Sequence, residues 1–254
     1  MVGGLSVGIL ELARGLIVFC LMAAGGFAPS PASAQLAIDR LWVDFEPGAA
    51  NRSDLIIRNE SADRYYITVS PVEVLSPGTA DEQRVENSDP EQLGLLVSPN
   101  RLVVDPGGMR AIRVVSLNDS VTVDRVYRIR VTPQVGEIQA GDPGADARGM
   151  TVKLLTAYDV LVTVRPPKPE SGITATRLGN EVTIRNAGNS NTLLFDGVAC
   201  SPAAAQGGEE SCEEIGARRL YPANEWKVTL KDPNAKLKFK ERRYASSEPR
   251  EVAF

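Results

Sequence analysis

Short segments of alternating apolar and polar residues dominate this chain. Apolar or β-branched residues recur at every second position, which is the period of a β-strand with one buried face. Turn residues rich in Pro, Gly, Asn and Asp separate the segments, and none holds a helical period of about 3.6 residues. The pattern predicts strands in two groups: 36–45, 52–58, 65–75, 95–97, 102–104, 109–116, 126–133 and 151–167, then 173–177, 181–185, 192–200, 220–230 and 236–243. We therefore predict an all-β protein.

The most regular of these segments is 151–167, TVKLLTAYDVLVTVRPP. A run rich in Gly, Ala and Asp precedes it at 136–149, and Arg165-Pro166-Pro167 ends it. One interpretation is an ordinary core strand that closes its own sandwich. The other is a strand that works with another chain. The segment also marks a division, because the turn chemistry changes after it.

This division predicts two immunoglobulin-like β-sandwiches in tandem. Many short strands with frequent turn signals favour that architecture. We expect an N-terminal domain at 35–167 and a smaller C-terminal domain at 168–254. The join at 166–169 is short and rich in proline, which predicts a fairly fixed angle between the domains.

The first 34 residues predict export. Arg14 precedes an apolar run at 15–28, and Ala32-Ser33-Ala34 matches the small-residue pattern of a signal-peptide cleavage site. We expect cleavage after Ala34. The apolar run is shorter than the about 20 residues of a comfortable membrane span, so we expect no stable membrane insertion of the mature chain.

The composition argues against several classes of function. Lys and Arg number 28 against 32 Asp and Glu, and a net charge of −4 does not favour nucleic acid as a partner. The chain has no histidine, which removes the usual base of Ser-His and Cys-His catalysis and the usual zinc sites. A carboxylate-based exported hydrolase is a further class, but no paired-acid motif is present. We expect no enzyme, metal or cofactor.

Two cysteines remain after the signal peptide, Cys200 and Cys212. In an exported protein an isolated pair of this kind predicts one disulfide that closes a short loop.

Several local motifs, in this order, resemble those of the PapD-like periplasmic chaperones of the chaperone-usher pathway. They are Ser98 to Gly107 (SPNRLVVDPG), Arg110 to Val114, Asp124 to Arg128 (DRVYR), Val164-Arg165-Pro166 and Leu220-Tyr221-Pro222. Val74 to Thr79 and Val126 to Pro133 are similar to the alternative, or alpha, branch of that family. The resemblance spans nearly all of the chain after residue 34.

The resemblance implies that 151–167 is a donor strand. A pilus subunit lacks the last strand of its sandwich, and the chaperone supplies one by strand addition. The implied subunit-facing residues are Val152, Leu154, Thr156, Tyr158 and Val160. If the strand acts in this way, these residues should be exposed along a free edge in the isolated protein; if it closes its own sandwich, they should be buried.

The family commonly holds the C-terminal carboxylate of the pilus protein with an Arg on the first strand and a Lys on the donor strand. The equivalent positions here are Trp42 and Leu161. Arg40 and Arg165 are therefore the candidate anchors. The alternatives are that Arg40 is a surface charge and that Arg165 belongs to an ion pair between the domains, with a partner that the sequence leaves unidentified because Val126 replaces the acidic residue of the family.

The resulting hypothesis is a periplasmic chaperone that binds fimbrial subunits by donor-strand complementation and delivers them to an outer-membrane usher. Homodimerisation through the donor edge is a further candidate interaction. The rival hypothesis is a secreted structural or adhesive protein with two immunoglobulin-like domains.

Overall fold

The computed structural model describes residues 36–118, 120–136, 154–202 and 211–254. The strands of the first block are β1 (Leu36–Ile38), β2 (Trp42–Phe45), β3 (Arg52–Asn59), β4 (Tyr65–Leu75), β5 (Gln83–Val85), β6 (Leu95–Ser98), β7 (Arg101–Val104), β8 (Met109–Ser116), β9 (Arg125–Val135) and β10 (Tyr158–Val164). A short helix, α1 (Pro90–Leu93), precedes β6. No helix in the described ranges is long and apolar enough to cross a membrane.

These ten strands form a first sandwich of two sheets. One sheet has the order β1-β3-β8-β6, and the other has the order β2-β10-β9-β4-β5 with β7 also paired to β4. The apolar phase of each strand faces the opposite sheet and fills a single core that includes Leu55, Ile67, Ile112 and Val162. β10 is paired on both sides, antiparallel to β9 and parallel to β2.

The second sandwich is smaller. Its strands are β11 (Ile173–Leu178), β12 (Glu181–Asn186), β13 (Thr192–Ser201), β14 (Ser211–Ile215), β15 (Arg218–Leu220), β16 (Glu225–Thr229), β17 (Lys236–Arg242) and β18 (Arg250–Ala253). One sheet is β11-β12-β16 and the other is β14-β13-β17-β18, with β15 also paired to β13. A core separate from the first includes Ile184, Leu194, Leu237 and Phe239. The predicted all-β fold of two sandwiches is confirmed.

The predicted disulfide between Cys200 and Cys212 is present. The two residues are directly opposite each other on β13 and β14. The pattern of the sequence does not predict β14, because its segment SCEEI carries little hydrophobic alternation. The disulfide therefore joins a polar edge strand to a core strand.

The segment predicted as one strand at 36–45 is two strands in different sheets. Asp39 interrupts it, and its carboxylate accepts a hydrogen bond from the main-chain N–H of Ile56 at 2.8 Å. The chain then crosses to the other sheet, where Leu41 O accepts from Leu161 N at 2.9 Å. This crossing places Trp42 at the edge of the β10 sheet.

Pro71 lies inside β4, and its type predicts an edge or a bulge. β9 covers one side of β4 along its whole length, with Pro71 opposite Ile129. On the other side β7 covers residues 65–68 and β5 covers residues 73–75. Pro71 therefore lies between β7 and β5, where its missing N–H leaves no ladder hydrogen bond unmade.

A small apolar cluster joins the two sandwiches. Val74 and Val126 of the first sandwich pack with Tyr221 of the second, and Leu161 packs against them. Asn224 also donates a hydrogen bond to Pro77 O at 3.2 Å across the same contact.

Candidate functional site

The strand β10 is shorter than the predicted segment 151–167. It begins at Tyr158, and residues 154–157 have no regular secondary structure. Residues 151–153, and with them Val152, lie outside the described residues. The regular strand is therefore the part of the segment that packs inside the first sandwich.

The predicted subunit-facing residues occupy different environments along this segment. Leu154 is 79% exposed, Thr156 is exposed and Tyr158 is half-buried, whereas Val160 is fully buried in the core of the first sandwich. The expected exposure of the alternate residues is thus found at Leu154 and Thr156 and is wrong for Val160.

The alternation of the strand explains this difference. Residues of one phase face the same side of a sheet, so Leu154, Thr156 and Tyr158 continue the phase of the buried residue Val160. From Val160 onward the second sheet of the sandwich covers that phase. Before Tyr158 the described residues provide no such cover. A second sandwich that extended this sheet would have its interior on the same side, and Leu154 would point into it.

The edge of β10 that faces away from β9 is only partly covered. β2 pairs with it from Leu161 to Val164, and upstream of Leu161 no strand in the described part of the chain pairs with it. Main-chain N–H and C=O groups of an unpaired strand edge are a ready template for another strand. Residues 154–160 therefore combine an open edge with exposed side chains in the core-facing phase.

Arg165 follows β10 and is enclosed between the sandwiches. Its side chain is 1% exposed. Its guanidinium donates to both carboxylate oxygens of Asp44, at 2.7 and 3.0 Å, and to Ser190 Oγ at 2.6 Å. Asp124 Oδ2 lies 3.6 Å from the same guanidinium. The anchor role predicted for Arg165 is therefore not supported, because its donors are already used; its position is that of the alternative, an ion pair between the domains.

The partners of Arg165 are two aspartates that the sequence left unidentified. Asp44 lies on β2, next to β10, and Asp124 lies just before β9. The signal was present in the Asp124-Arg125 pair, but the acidic position of the family corresponds to Val126. A displacement of two residues along the chain is enough to hide it.

The carboxylate of Asp124 is held from several directions. It accepts hydrogen bonds from Ser190 Oγ at 2.9 Å and from the main-chain N–H of Asn191 at 2.6 Å. Burial nevertheless raises the pKa of Asp124, and this effect outweighs the lowering by Arg165 and by these donors. The site is a dry polar contact that ties the first sandwich to the second.

Arg40 lies on the surface in the chain between β1 and β2. Its Nε donates to the carboxylate of the adjacent Asp39 at 2.9 Å, and half of its side chain is exposed. It does not line the cleft described next. The structure thus places Arg40 in the position of the alternative, a surface charge.

A cleft of about 290 Å³ opens between the sandwiches at the end of the open edge. Its apolar wall includes Trp42, which is 61% exposed, and Leu161, which is opposite Trp42 in the parallel register of β2 and β10. The second sandwich contributes Leu193, Arg219, Arg242 and Tyr244. The cleft therefore has apolar residues on the first sandwich and arginines on the second.

Arg219 is mostly buried in this wall. Its guanidinium donates to Asn191 Oδ1 at 2.5 Å. Burial lowers the pKa of Arg219, and the nearby charge of Arg165 lowers it further, although Tyr221 and the two aspartates oppose this. The cause is a positive charge held in a poorly solvated place.

Comparison with known proteins gives a consistent result. No family model matches the chain. A CS1 fimbrial subunit of Escherichia coli is 26% identical over 174 residues, covering 68% of this chain and 72% of that protein. The crystal structure of the class 5 fimbriae chaperone CfaA superposes with a TM-score of 0.64 at 16% identity, covering 86% of this chain and 97% of CfaA.

A complex from Acinetobacter baumannii is similar as well. It contains the chaperone CsuC and the tip adhesion subunit CsuE of the archaic chaperone-usher Csu pili. The matched chain superposes with a TM-score of 0.56 at 11% identity, covering 87% of this chain and 98% of that chain. The sequence resemblance to PapD-like chaperones is thus confirmed at the level of the fold: the chain has the two-sandwich fold of the fimbrial chaperones.

Proposed function

We propose that this protein is a periplasmic chaperone for fimbrial subunits. It adds residues 154–160 as a strand to the incomplete sandwich of a subunit. Main-chain hydrogen bonds along the strand supply affinity, and alternate side chains fill pockets in the subunit. The subunit is thereby kept from aggregating through its own unpaired edges.

The observation that carries this proposal is the environment of Leu154. A large apolar side chain that is 79% exposed, in the core-facing phase of an open strand edge, has no role in the stability of the isolated chain. The rival hypothesis, a structural or adhesive protein whose strand only closes its own sandwich, gives no reason for this exposure. The likeness in fold to chaperones of known fimbriae supports the same choice.

The remaining parts of the proposal follow the same logic. Residues 1–34 direct export and are removed after Ala34, which leaves the protein in the periplasm. The domains divide at 167 and 168. The loaded chaperone passes its subunit to an outer-membrane usher, and the empty open edge is available for pairing with a second copy of the chain. Leu154, Thr156 and Tyr158 carry the subunit contact, together with Val152, and Val160 supports it from within the core.

Leu154→Asp tests the proposal. The chain and the fimbrial subunits encoded beside its gene are co-expressed, and the complex is recovered through a tag on the chain. The variant is expected to lose the subunit, because a carboxylate would enter an apolar pocket without a partner. Its melting temperature should match the wild type, since exposed positions contribute little to stability.

Leu178→Asp is the matched control, because Leu178 is 85% exposed on the second sandwich. It should retain the subunit. If Leu154→Asp retains the subunit as well, or if it unfolds the chain, the proposed use of this edge is wrong.

A further inference from the structure

The cleft beside the open edge contains positive charge that the protein itself does not neutralise. Three arginines line it, namely Arg165, Arg219 and Arg242. Asp44 also lines it, but both of its carboxylate oxygens accept from Arg165. Within the described ranges no salt bridge involves Arg219 or Arg242.

The sheet brings these two arginines together. Leu193 of β13 is directly opposite Arg219 of β15 on one side and Arg242 of β17 on the other. Directly opposite residues of antiparallel strands share a face and lie about 5 Å apart at Cβ. Arg219 and Arg242 therefore flank Leu193 on the face that looks into the cleft.

The two guanidinium groups differ in freedom. Arg219 is mostly buried and is oriented by its hydrogen bond to Asn191 Oδ1. Arg242 is exposed and lies with its guanidinium carbon 5.2 Å from the ring centre of Phe195. A fixed cation and a mobile one on the same wall suit a carboxylate, which accepts two parallel N–H bonds from a guanidinium.

The position of the open edge decides which carboxylate reaches this cleft. A partner strand paired with residues 154–160 cannot continue past Leu161, because β2 occupies the same edge from there and Leu41 O already accepts from Leu161 N. The partner strand therefore ends beside Trp42, at the mouth of the cleft. A strand that ends there with its C-terminus runs parallel to β10 and brings a free carboxylate to the arginines.

We propose that Arg219 and Arg242 of the second sandwich bind the C-terminal carboxylate of the partner strand, while Trp42 and Leu161 contact its last side chains. This inference rests on the proposed function. It assigns the positive charge to the second sandwich instead of Arg40 or Arg165, and it gives the second sandwich a direct part in holding the partner.

The test uses the chain from Gln35 to Phe254 and a fimbrial subunit that co-purifies with the wild type. Two forms of the subunit are compared, one with its own C-terminus and one extended by two glycines, which moves the carboxylate away from its place. Arg242→Gln is the main variant because Arg242 is exposed and its loss leaves the core intact. Arg219→Gln is the second variant, and Arg243→Gln is the control because Arg243 is exposed and does not line the cleft.

Each cleft variant is expected to have an affinity for the native subunit that is about tenfold weaker or more, as for the loss of a hydrogen bond to a charged group. The same variants should change the affinity for the extended subunit less than about twofold, since its carboxylate is already displaced. Arg243→Gln should bind both forms as the wild type does.

If wild type and Arg242→Gln bind the native subunit equally, and the wild type binds it well, the anchor is overturned and the proposed function stands. An equal loss for both forms of the subunit would also overturn the anchor, because the arginine would then act on something other than the carboxylate. If the wild type captures no subunit, the proposed function fails and the anchor fails with it.

Discussion

Arg165→Met tests whether the buried ion pair holds the two sandwiches together. The substitution keeps a long apolar stem but removes the guanidinium that donates to Asp44, Ser190 and Asn191 O. It leaves the carboxylate of Asp124, whose side chain is fully buried, without its positive partner. Removing one member of a buried pair costs about 3–5 kcal/mol, because the remaining charge stays out of water. For a chain of this size that corresponds to roughly 10 °C in Tm.

Differential scanning calorimetry of the chain from Gln35 to Phe254 measures the effect. Arg185→Met is the control, because Arg185 and Glu225 form a pair that is more than half exposed on both sides, and such pairs contribute less than about 1 kcal/mol. Adding Asp124→Asn to Arg165→Met should recover part of the lost stability, since it removes the stranded charge. If Arg165→Met costs no more than Arg185→Met, the buried pair does not hold the sandwiches together and the reasoning is refuted.

Three further outcomes are expected. Burial raises the pKa of Asp124, so its stabilising contribution is greatest below roughly pH 4 and is lost as the pH rises through the raised value, whereas the hydrogen bond from Arg113 lowers the pKa of Asp54, whose contribution is present above roughly pH 4 and is lost as the pH falls. Urea unfolding across this range should therefore give differences between wild type and Asp124→Asn that shrink with rising pH, and differences for Asp54→Asn that grow; slopes of the same sign would contradict the assignment. Replacing Cys200 and Cys212 by Ser should lower the free energy of unfolding by about 3 kcal/mol for a loop with a separation of 12, and a loss below about 1 kcal/mol would show that the loop is already ordered without the bond. Val160→Ala should cost about 2 kcal/mol in the same assay, and Leu154→Ala less than about 0.5, because only Val160 is packed in the core; similar losses would place both residues in one environment.

Most of the strands could be predicted because their signal is local. Where a strand has one buried face, as in β4 and β8, the alternation alone indicates its place in the chain. The polar strand β14 has no such signal and was missed. The break between β1 and β2 was missed for another reason: both halves alternate acceptably, and only the pairing with two different sheets separates them.

The site was predicted less well than the fold. The phase of Leu154 and Val160 was correct as a period, but a period does not say where the covering sheet ends, so the exposure of Val160 was wrong. The candidate anchors Arg40 and Arg165 were chosen from their strand positions. Their environments depend on residues far away in the sequence, such as Asp44 and Asp124 for Arg165.

The sequence by itself determined the all-β class, the two sandwiches, the single disulfide and the phase of the strand at 151–167, because each follows from residue type and local period. Only the tertiary structure decided which part of that strand stays open. It also decided that Arg165 is used up between the sandwiches and that Arg219 and Arg242 face the cleft. These properties come from pairing across long stretches of chain, where β2 covers one half of an edge and β13 brings two distant arginines to the same face.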